Sequence, residues 1–439
     1  MMKLLLSLVF MLGMMNFKIS KVSKSFVCFF LSFYLMFFWI CYSSSLWIGG
    51  HNLFYIDFNS YVLIILSLWI SGCMLMMNLS KFMESLIIIL LISLIMCFFS
   101  FNLILFYVMF EVGLLPIFFL ILYGGYSFER YEAVMYMFMY TVLSSMPFLW
   151  LLLYIFLNYK SLMISMLIFL MLNIDNLLFS MCLLGFIVKL PMFIFHIWLP
   201  KAHVEAPVYG SMILAGVLLK LGGYGMFRMI KIFFNNMMNW SVLMIMLGMV
   251  GSIFLSLVCL IQVDMKMLVA YSSVVHMGLM ISGMCTMSKI GLVGGLMMMI
   301  SHGLCSSGMF YLVNINYERF GSRLIYLNKG SLSIYPTLSL FWFLFCSSNL
   351  SAPVSLNLIG EVFLLISLVS WNILLILFLM FFCFFSAAYS LYLFSMSQHG
   401  NNSIMLMNYQ VVNIFDYLVL ILHWLPLNIL FLSLNLFNL

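Results

Sequence analysis

The chain has 439 residues, of which 67% are hydrophobic and only 6% are charged, with a formal net charge of +6. A soluble globular domain carries about a quarter charged residues, so the composition excludes a water-soluble enzyme and indicates a membrane protein. At about 30 residues for a span and its loop, the length predicts roughly fourteen spans. All are expected to be helices, because lipid offers no partner to an unpaired backbone group.

The predicted spans follow from the polar residues that divide the apolar runs. Spans one to seven lie near residues 3–16, 26–45, 60–78, 84–100, 102–123, 133–157 and 177–200. Spans eight to fourteen lie near residues 208–231, 241–262, 266–286, 290–313, 333–364, 371–395 and 411–435. The twelfth is too long for one straight helix, because about 20 residues already cross a bilayer. The loops are short, so we expect no soluble domain.

The cysteines and histidines show no pattern typical of a metal site. Ten cysteines are scattered singly through the apolar runs, without a CxxC pair or a Cys/His cluster. Iron–sulfur and structural zinc sites need several such ligands close together, so we predict no cofactor and no metal bound by this chain. His196 and His203 stand seven residues apart, but Pro200 is predicted to break the helix between them.

Six titratable residues lie at membrane depth inside the predicted spans: Glu111, Lys189, Lys220, His276, His302 and Glu361. A charge at the centre of a membrane helix costs about 2.5–3.5 kcal/mol on insertion scales, so the four charged members of this set indicate function. Burial shifts the pKa of a carboxylic acid or an amine toward neutrality, and histidine titrates there without a shift. These residue types therefore favour a relay that takes up and releases protons.

Structural interpretations of the same residues stay open at this point. Lys220 could extend toward the membrane surface along its aliphatic stem. Glu111 and Lys189 could form an ion pair with no part in transport. His276 and His302 could serve only as hydrogen-bonding groups between helices.

Two of the predicted spans contain an interruption beside a charged residue. In span seven, Pro191 follows Lys189 and cannot continue the helical hydrogen bonds. In span twelve, a polar stretch at residues 349–357 with Pro353 precedes Glu361. Irregular backbone at membrane depth occurs where it lines protein or a hydrated cavity, and paired interruptions indicate a transport site.

The separations of 78 residues from Glu111 to Lys189 and 85 from His276 to Glu361 suggest an internal duplication of spans four to eight as spans nine to thirteen.

Several motifs together resemble one known family. They are VKLPMF at 188–193, HIWLPKAHVEAP at 196–207, SMILAG at 211–216, LLKLGGYG at 218–225, AYSSVVHMG at 270–278, SHGLCSS at 301–307 and NLIGE at 357–361. In this order they resemble the chain 4 family of NADH-ubiquinone oxidoreductase, the mitochondrially encoded antiporter-like subunits of respiratory complex I. The resemblance is strongest from about residue 105 to 395.

The resemblance implies an all-α polytopic membrane protein of about fourteen helices. It implies two inverted five-helix repeats in which helices seven and twelve are discontinuous. We place helices one to three at 1–83, the first repeat at 84–231, the second at 241–395 and a C-terminal helix at 411–435.

The resemblance also implies a role for each of the six buried titratable residues. Glu111 and Lys189 would be a coupled pair, Lys220 would lie centrally and Glu361 at the far end of a proton relay. His276 and His302 would lie on the hydrated path that connects them.

The implied function is proton translocation coupled to quinone reduction by NADH, in a multi-pass subunit of the mitochondrial inner membrane. NADH, FMN, iron–sulfur clusters and ubiquinone would bind other subunits, and no nucleic acid is expected. The partners would be protons, lipid and other complex I membrane subunits, including neighbouring antiporter-like subunits. Two alternatives stay open: a free-standing cation/proton antiporter, and a passive assembly subunit.

Overall fold

A computed structural model describes residues 2–14, 20–42, 48–50, 54–125, 127–401, 411–434 and 437. The helices up to residue 189 are α1 (Met2–Met14), α2 (Lys21–Tyr42), α3 (Phe58–Leu75), α4 (Lys81–Phe99), α5 (Leu103–Val112), α6 (Leu114–Gly124), α7 (Arg130–Tyr159), α8 (Ile164–Leu170) and α9 (Asn176–Lys189). They are followed by α10 (Trp198–Glu205), α11 (Val208–Ile213), α12 (Leu219–Ile232), α13 (Phe234–Ile261), α14 (Met265–Met284) and α15 (Lys289–Phe320). The last helices are α16 (Ser331–Ile334), α17 (Pro336–Asn349), α18 (Leu356–Trp371), α19 (Ile376–Gln398) and α20 (Ile414–Leu432).

The remaining regular elements are short. A π-helical turn, Leu214–Leu218, joins α11 to α12, and 3₁₀ turns occur at Ile325–Leu327 and Ile373–Leu375. Two three-residue strands, β1 (Ile48–Gly50) and β2 (Phe54–Ile56), pair antiparallel. The structure is therefore almost entirely helical, as the sequence predicted.

Ten helices among the described residues are long and apolar enough to cross a membrane. Shorter apolar helices run from Leu4 to Gly13, Asn176 to Lys189 and Leu356 to Trp371. Large apolar side chains such as Leu143, Leu157 and Phe384 are exposed on the outer faces, as expected of helices that meet lipid. The total of fourteen spans stays a prediction, but the multi-pass helical class is confirmed.

The helices form two compact units. The first comprises Met1–Lys189 and Glu205–Met237, and the second comprises Leu190–Val204 and Met238–Leu439. The predicted repeats at 84–231 and 241–395 stay a prediction, since a division into units does not test internal symmetry.

The first unit has α3 near its centre, with 94% of its span buried, whereas 39% of the span in α7 is buried. α3 packs against α2 and α4, and α7 packs against α9. A buried ion pair crosses the periphery of this unit, where Lys24 Nζ of α2 lies 2.6 Å from Glu84 Oε2 of α4.

The second unit is organised around α15, which contacts α14, α17, α18 and α20. The contact between α15 and α18 depends on a close approach at Gly360. A Cβ atom there would lie 2.9 Å from Met298 Cγ and 3.1 Å from the Met298 backbone nitrogen. Because only glycine leaves that space empty, Gly360 brings the backbone that carries Glu361 directly against α15.

The C-terminal helix α20 lies at the edge of the second unit, with only 22% of its span buried. Asp416 in its first turn accepts hydrogen bonds from the Tyr311 hydroxyl at 2.8 Å and from Arg319 Nη2 at 3.3 Å. These contacts join the start of α20 to the end of α15.

Both predicted helix interruptions are present. α9 ends at Lys189 and α10 begins at Trp198, whereas α17 ends at Asn349 and α18 begins at Leu356. Each interruption contains a β-branched residue in left-handed backbone conformation, Ile194 with φ of 84° and Val354 with φ of 73°. Such residues rarely adopt positive φ, so both breaks store backbone strain.

The predicted effect of Pro200 was wrong. α10 begins at Trp198, so Pro200 lies within its first turn and does not break the helix. A proline is tolerated there because the first turn has no partners for its N–H groups. His196 precedes this helix, whereas His203 lies in its last turn and stacks 4.5 Å from the Phe310 ring.

Candidate functional site

Glu111 and Lys189 lie side by side in the first unit. Lys189 Nζ is 3.4 Å from Glu111 Oε1 and donates a hydrogen bond to the Phe110 carbonyl at 2.9 Å. Lys189 is the last residue of α9 and is buried, whereas the Glu111 side chain keeps 21% of its surface exposed. The Lys189 side chain therefore contacts one backbone acceptor and one partly exposed carboxylate.

The Phe110 carbonyl is free to accept from Lys189 because α5 ends nearby. The last carbonyls of a helix have no partner within it, and α5 ends at Val112 before Gly113. Lys189 Nζ also lies over the Phe110 ring, 2.8 Å from its centroid. The rings of Phe106 and Phe186 lie 5.5 Å and 5.8 Å from that of Phe110, so the ring that Lys189 contacts belongs to an aromatic cluster.

Lys220 lies in the first turn of α12, directly after the π-helical turn, and is fully buried. The Leu219 N–H donates to the Leu214 carbonyl, five residues back, as a π-helix requires. The widened turn presents the Ala215 carbonyl to the side chain, and Lys220 Nζ donates to it at 2.5 Å. Since π-helical turns are frequent at functional sites, the backbone supports the prediction that Lys220 has a role.

One turn beyond Lys220, a second polar network runs toward the start of α3. The Tyr224 hydroxyl donates to the Phe98 carbonyl at 3.2 Å and accepts from Arg228 Nε at 3.0 Å. Arg228 Nη1 is also paired with Asp57 Oδ2. The buried guanidinium is thus matched by a carboxylate and a phenol. Sequence reasoning missed this network.

His276 and Glu361 lie side by side in the second unit. His276 Nδ1 is 3.2 Å from Glu361 Oε1, and both side chains are buried. The distance is that of an ion pair, although Nδ1 is not aligned with the carboxylate as a hydrogen bond requires. His276 Nε2 lies 3.0 Å from the Tyr389 hydroxyl, and the His302 ring centroid is 5.8 Å from that of His276.

The break before Glu361 is held by side-chain contacts. Asn357 Nδ2, one turn before Glu361, donates to the Ser348 carbonyl at the end of α17 at 2.6 Å. The Ala352 N–H donates to the Ser347 carbonyl at 2.9 Å. The interrupted ends of α17 and α18 are therefore joined by hydrogen bonds, and Glu361 lies on a defined backbone.

The structure brings the six predicted residues into two sets. Glu111, Lys189 and Lys220 lie in the first unit, whereas His276, His302 and Glu361 lie in the second. Sequence reasoning missed the Phe110 carbonyl, the π-helical turn and Tyr389. In the part of the chain that the structure describes, no group of three or more His, Cys, Asp and Glu side chains could hold a metal ion.

Known proteins resemble this chain in sequence and in structure. The family model described as "NADH:quinone oxidoreductase/Mrp antiporter, TM" matches residues 100–386. The NADH-ubiquinone oxidoreductase chain 4 of Apis mellifera ligustica is 48% identical over 385 residues, which cover 86% of each chain. The corresponding chain of Ceratitis capitata is 46% identical over the same proportions.

Two solved structures share the fold. A chain of respiratory complex I from Thermus thermophilus has a TM-score of 0.88 at 21% identity and covers 97% of this chain and 94% of its own. A chain of the membrane-bound sulfane sulfur reductase, an archaeal respiratory membrane complex, also has a TM-score of 0.88, at 16% identity, with coverages of 98% and 77%. The fold therefore occurs in more than one respiratory complex. The sequence comparisons are more specific than the fold. At 46–48% identity over 86% of its length, this chain belongs to the NADH-ubiquinone oxidoreductase chain 4 family.

Proposed function

We propose that this chain is a proton-translocating membrane subunit of NADH:ubiquinone oxidoreductase in the mitochondrial inner membrane. The observation that carries the proposal is the pair formed by buried Lys189 and partly exposed Glu111 at the break between α9 and α10. NADH, FMN, iron–sulfur clusters and ubiquinone would bind to other subunits of the complex. Neighbouring antiporter-like subunits would be the partners of this chain in the membrane.

The geometry around Lys189 supports its role as a switch. The Phe110 carbonyl is part of the backbone and cannot leave, whereas the partly exposed Glu111 carboxylate can rotate away. With Glu111 close, the ammonium form of Lys189 is stabilised by the opposite charge. When an input from a neighbouring subunit moves the carboxylate away, Lys189 is left buried beside a neutral carbonyl and releases its proton.

Lys220 is suited to receive and pass on a proton without moving. An amine and an ammonium can both donate to a carbonyl, so the contact with Ala215 persists in either protonation state. In the second unit, His276 and Glu361 offer a base and an acid 3.2 Å apart. The order of transfer predicted from the sequence, from Lys189 to Lys220 and then through the histidines to Glu361, stays a prediction.

The transport step works against the membrane potential. Moving one charge across it costs about 2.3 kcal/mol per 100 mV. This work would come from quinone reduction elsewhere in the complex. A free-standing antiporter would need no such partner, so sodium flux by the chain without NADH oxidation would favour that alternative.

The substitution Lys189→Arg tests the proposal. Arginine keeps the positive charge but does not deprotonate in proteins, so a relay should stop while an ion pair should survive. We expect the variant to assemble into the NADH-oxidising complex and proton uptake into reconstituted vesicles to fall by roughly tenfold or more, about 1.4 kcal/mol of barrier for each factor of ten.

The matched control is Lys24→Arg. Lys24 also forms a buried pair with a glutamate but lies outside the proposed relay, so the control should keep proton uptake. Native proton uptake by the assembled Lys189→Arg complex would contradict the relay and favour the passive assembly subunit.

A further inference from the structure

Tyr389 is a buried tyrosine in α19 whose hydroxyl faces the His276–Glu361 pair. Its side chain is fully buried, and its oxygen lies 3.0 Å from His276 Nε2. Nδ1 on the other side of the imidazole lies 3.2 Å from Glu361 Oε1. The imidazole is therefore held between a phenol and a carboxylic acid, with one nitrogen toward each.

The two neighbours of His276 differ in what they can donate and accept. An imidazole has one N–H when neutral and two when protonated, so Nε2 is an acceptor in one state and a donor in others. A phenol hydroxyl can donate to Nε2 or, after rotating, accept from it. A carboxylate only accepts. Tyr389 is thus the neighbour that can satisfy Nε2 in every protonation state of the ring.

The direction of the Tyr389 hydrogen bond determines which nitrogen of neutral His276 carries the hydrogen. When the Tyr389 hydroxyl donates to Nε2, the hydrogen of neutral His276 is on Nδ1, on the side of Glu361. When His276 is protonated, Nε2–H donates to the Tyr389 oxygen, and Nδ1–H lies on the side of Glu361, 3.2 Å from Oε1, where a rotation of either side chain would align the two. Without the hydroxyl, Nε2 would be a buried polar atom without its partner.

We propose that Tyr389 is a positioning residue that keeps His276 oriented so that its proton exchanges with Glu361 through Nδ1. In the transfer, the Nδ1–H bond of protonated His276 breaks and an O–H bond forms on the Glu361 carboxylate. The Nε2 hydrogen stays on the ring and is accepted by the Tyr389 oxygen, so both side chains end neutral. The reverse step returns the proton. This inference rests on the proposed function, since it assigns a partner to one pair of the relay.

The other contacts of the ring leave this role to Tyr389. The Phe382 ring is 6.4 Å from the His276 ring, nearly perpendicular, and offers no acceptor for an N–H in the ring plane. The His302 ring is tilted at 50° with its centroid 5.8 Å away. The Tyr389 hydroxyl makes the hydrogen bond to Nε2.

The test is Tyr389→Phe in the whole NADH-oxidising complex, which removes the hydroxyl and keeps the ring. We expect normal assembly and proton uptake per NADH oxidised that falls by roughly tenfold, from the loss of one buried hydrogen bond. The ratio of uptake rates in H₂O and D₂O should rise, because proton transfer becomes the slowest step. A merely structural role would lower the yield of complex and leave that ratio unchanged.

Two further variants separate the possible outcomes. Tyr311→Phe removes a buried tyrosine hydroxyl bonded to a carboxylate in the same unit, at Asp416, and should leave proton uptake and its isotope ratio unchanged. Glu361→Gln reports on the pair itself. Native uptake and isotope ratio in Tyr389→Phe, together with impaired Glu361→Gln, would overturn the inference alone. Native uptake in both would overturn the proposed function of this pair.

A measurement on the native complex keeps the inference testable if Tyr389→Phe does not assemble. The infrared difference between the native and His276→Gln complexes contains the ring vibrations of His276. Bands of an imidazole whose Nε2 is hydrogen-bonded would support the role of Tyr389, and bands of an imidazole with free Nε2 would overturn it.

Discussion

The two units hold their carboxylate–base pairs in different ways. In the first unit the base is Lys189, its second partner is the Phe110 backbone carbonyl, and the carboxylate of Glu111 is partly exposed. In the second unit the base is His276, its second partner is the side chain of Tyr389, and the carboxylate is buried.

The difference follows from the chemistry of the two bases. Lysine donates hydrogen bonds in both protonation states, so a carbonyl, which only accepts, serves it throughout. The Nε2 atom of histidine changes from acceptor to donor, so it needs a group that can do both. A fixed backbone atom is sufficient in the first unit, whereas the second unit requires a hydroxyl.

The strongest challenge to this comparison is Glu111→Gln. In this variant no carboxylate lies beside Lys189, so nothing of opposite charge holds the proton on the amine and the proposed switch is lost. Because the pair can no longer be switched, we expect proton uptake by the complex to fall by more than tenfold, about 1.4 kcal/mol of barrier for each factor of ten. Uptake into vesicles per assembled complex measures this.

The control for that measurement is Glu129→Gln. Glu129 is exposed before α7 in the same unit, so the same chemical change should have no effect there. If Glu111→Gln kept native uptake, the Phe110 carbonyl alone would suffice for Lys189, and the switch proposed for the carboxylate would be wrong.

Glu361→Gln should have a smaller effect than Glu111→Gln. His276 keeps its hydrogen bond to the Tyr389 hydroxyl when the Glu361 carboxylate is removed, whereas Lys189 in Glu111→Gln loses its charged partner. We expect proton uptake to fall several-fold, with assembly unchanged, in the same vesicle assay. Glu318→Gln, on the exposed surface near the end of α15, is the matched control. An effect of Glu361→Gln larger than that of Glu111→Gln would contradict this comparison of the two pairs.

The smallest of these effects is expected for Gly360→Ala. The added methyl group would meet the Met298 backbone nitrogen at 3.1 Å, which cannot move as a side chain can. Overpacking typically costs about 1–3 kcal/mol, so α18 should shift away from α15 and the complex should inactivate at a lower temperature.

Gly13→Ala in α1 is the control for this substitution, since nothing lies within 4 Å of a Cβ there. Proton uptake by the intact Gly360→Ala complex should decrease only modestly. If its thermal inactivation matched that of Gly13→Ala, close packing at Gly360 would not be what positions Glu361.

Much of the fold could be predicted because hydropathy and proline are local signals. The helix breaks followed from Pro191 and Pro353, and helical spans followed from apolar runs divided by polar residues. The contact between Glu111 and Lys189 could be proposed because two opposite charges at membrane depth need each other. The contact between Asp57 and Arg228 could not be predicted. These residues are 171 positions apart, and nothing in the sequence indicates that they pair.

The missed parts of the site have no local signal. The Phe110 carbonyl is a backbone atom, and its availability depends on where α5 ends. Tyr389 is one of 23 tyrosines in a chain rich in aromatic residues, and nothing in its neighbours distinguishes it. Its role depends on the packing of α19 against α14, which places its hydroxyl beside His276 and is known only from the tertiary structure.

The π-helical turn Leu214–Leu218 also determines the directions in which the side chains of the following helix, α12, point. An extra residue in one turn rotates the following helix by about 100° relative to an uninterrupted α-helix. A helical wheel drawn through residues 208–232 therefore assigns Lys220 to the wrong face. Deleting a single residue from the turn, such as Gly216, would restore α-helical phase and direct Lys220 elsewhere, although every side chain of the site would still be present. A relative that lacks one residue at this place would therefore direct the equivalent of Lys220 to a different side of the helix.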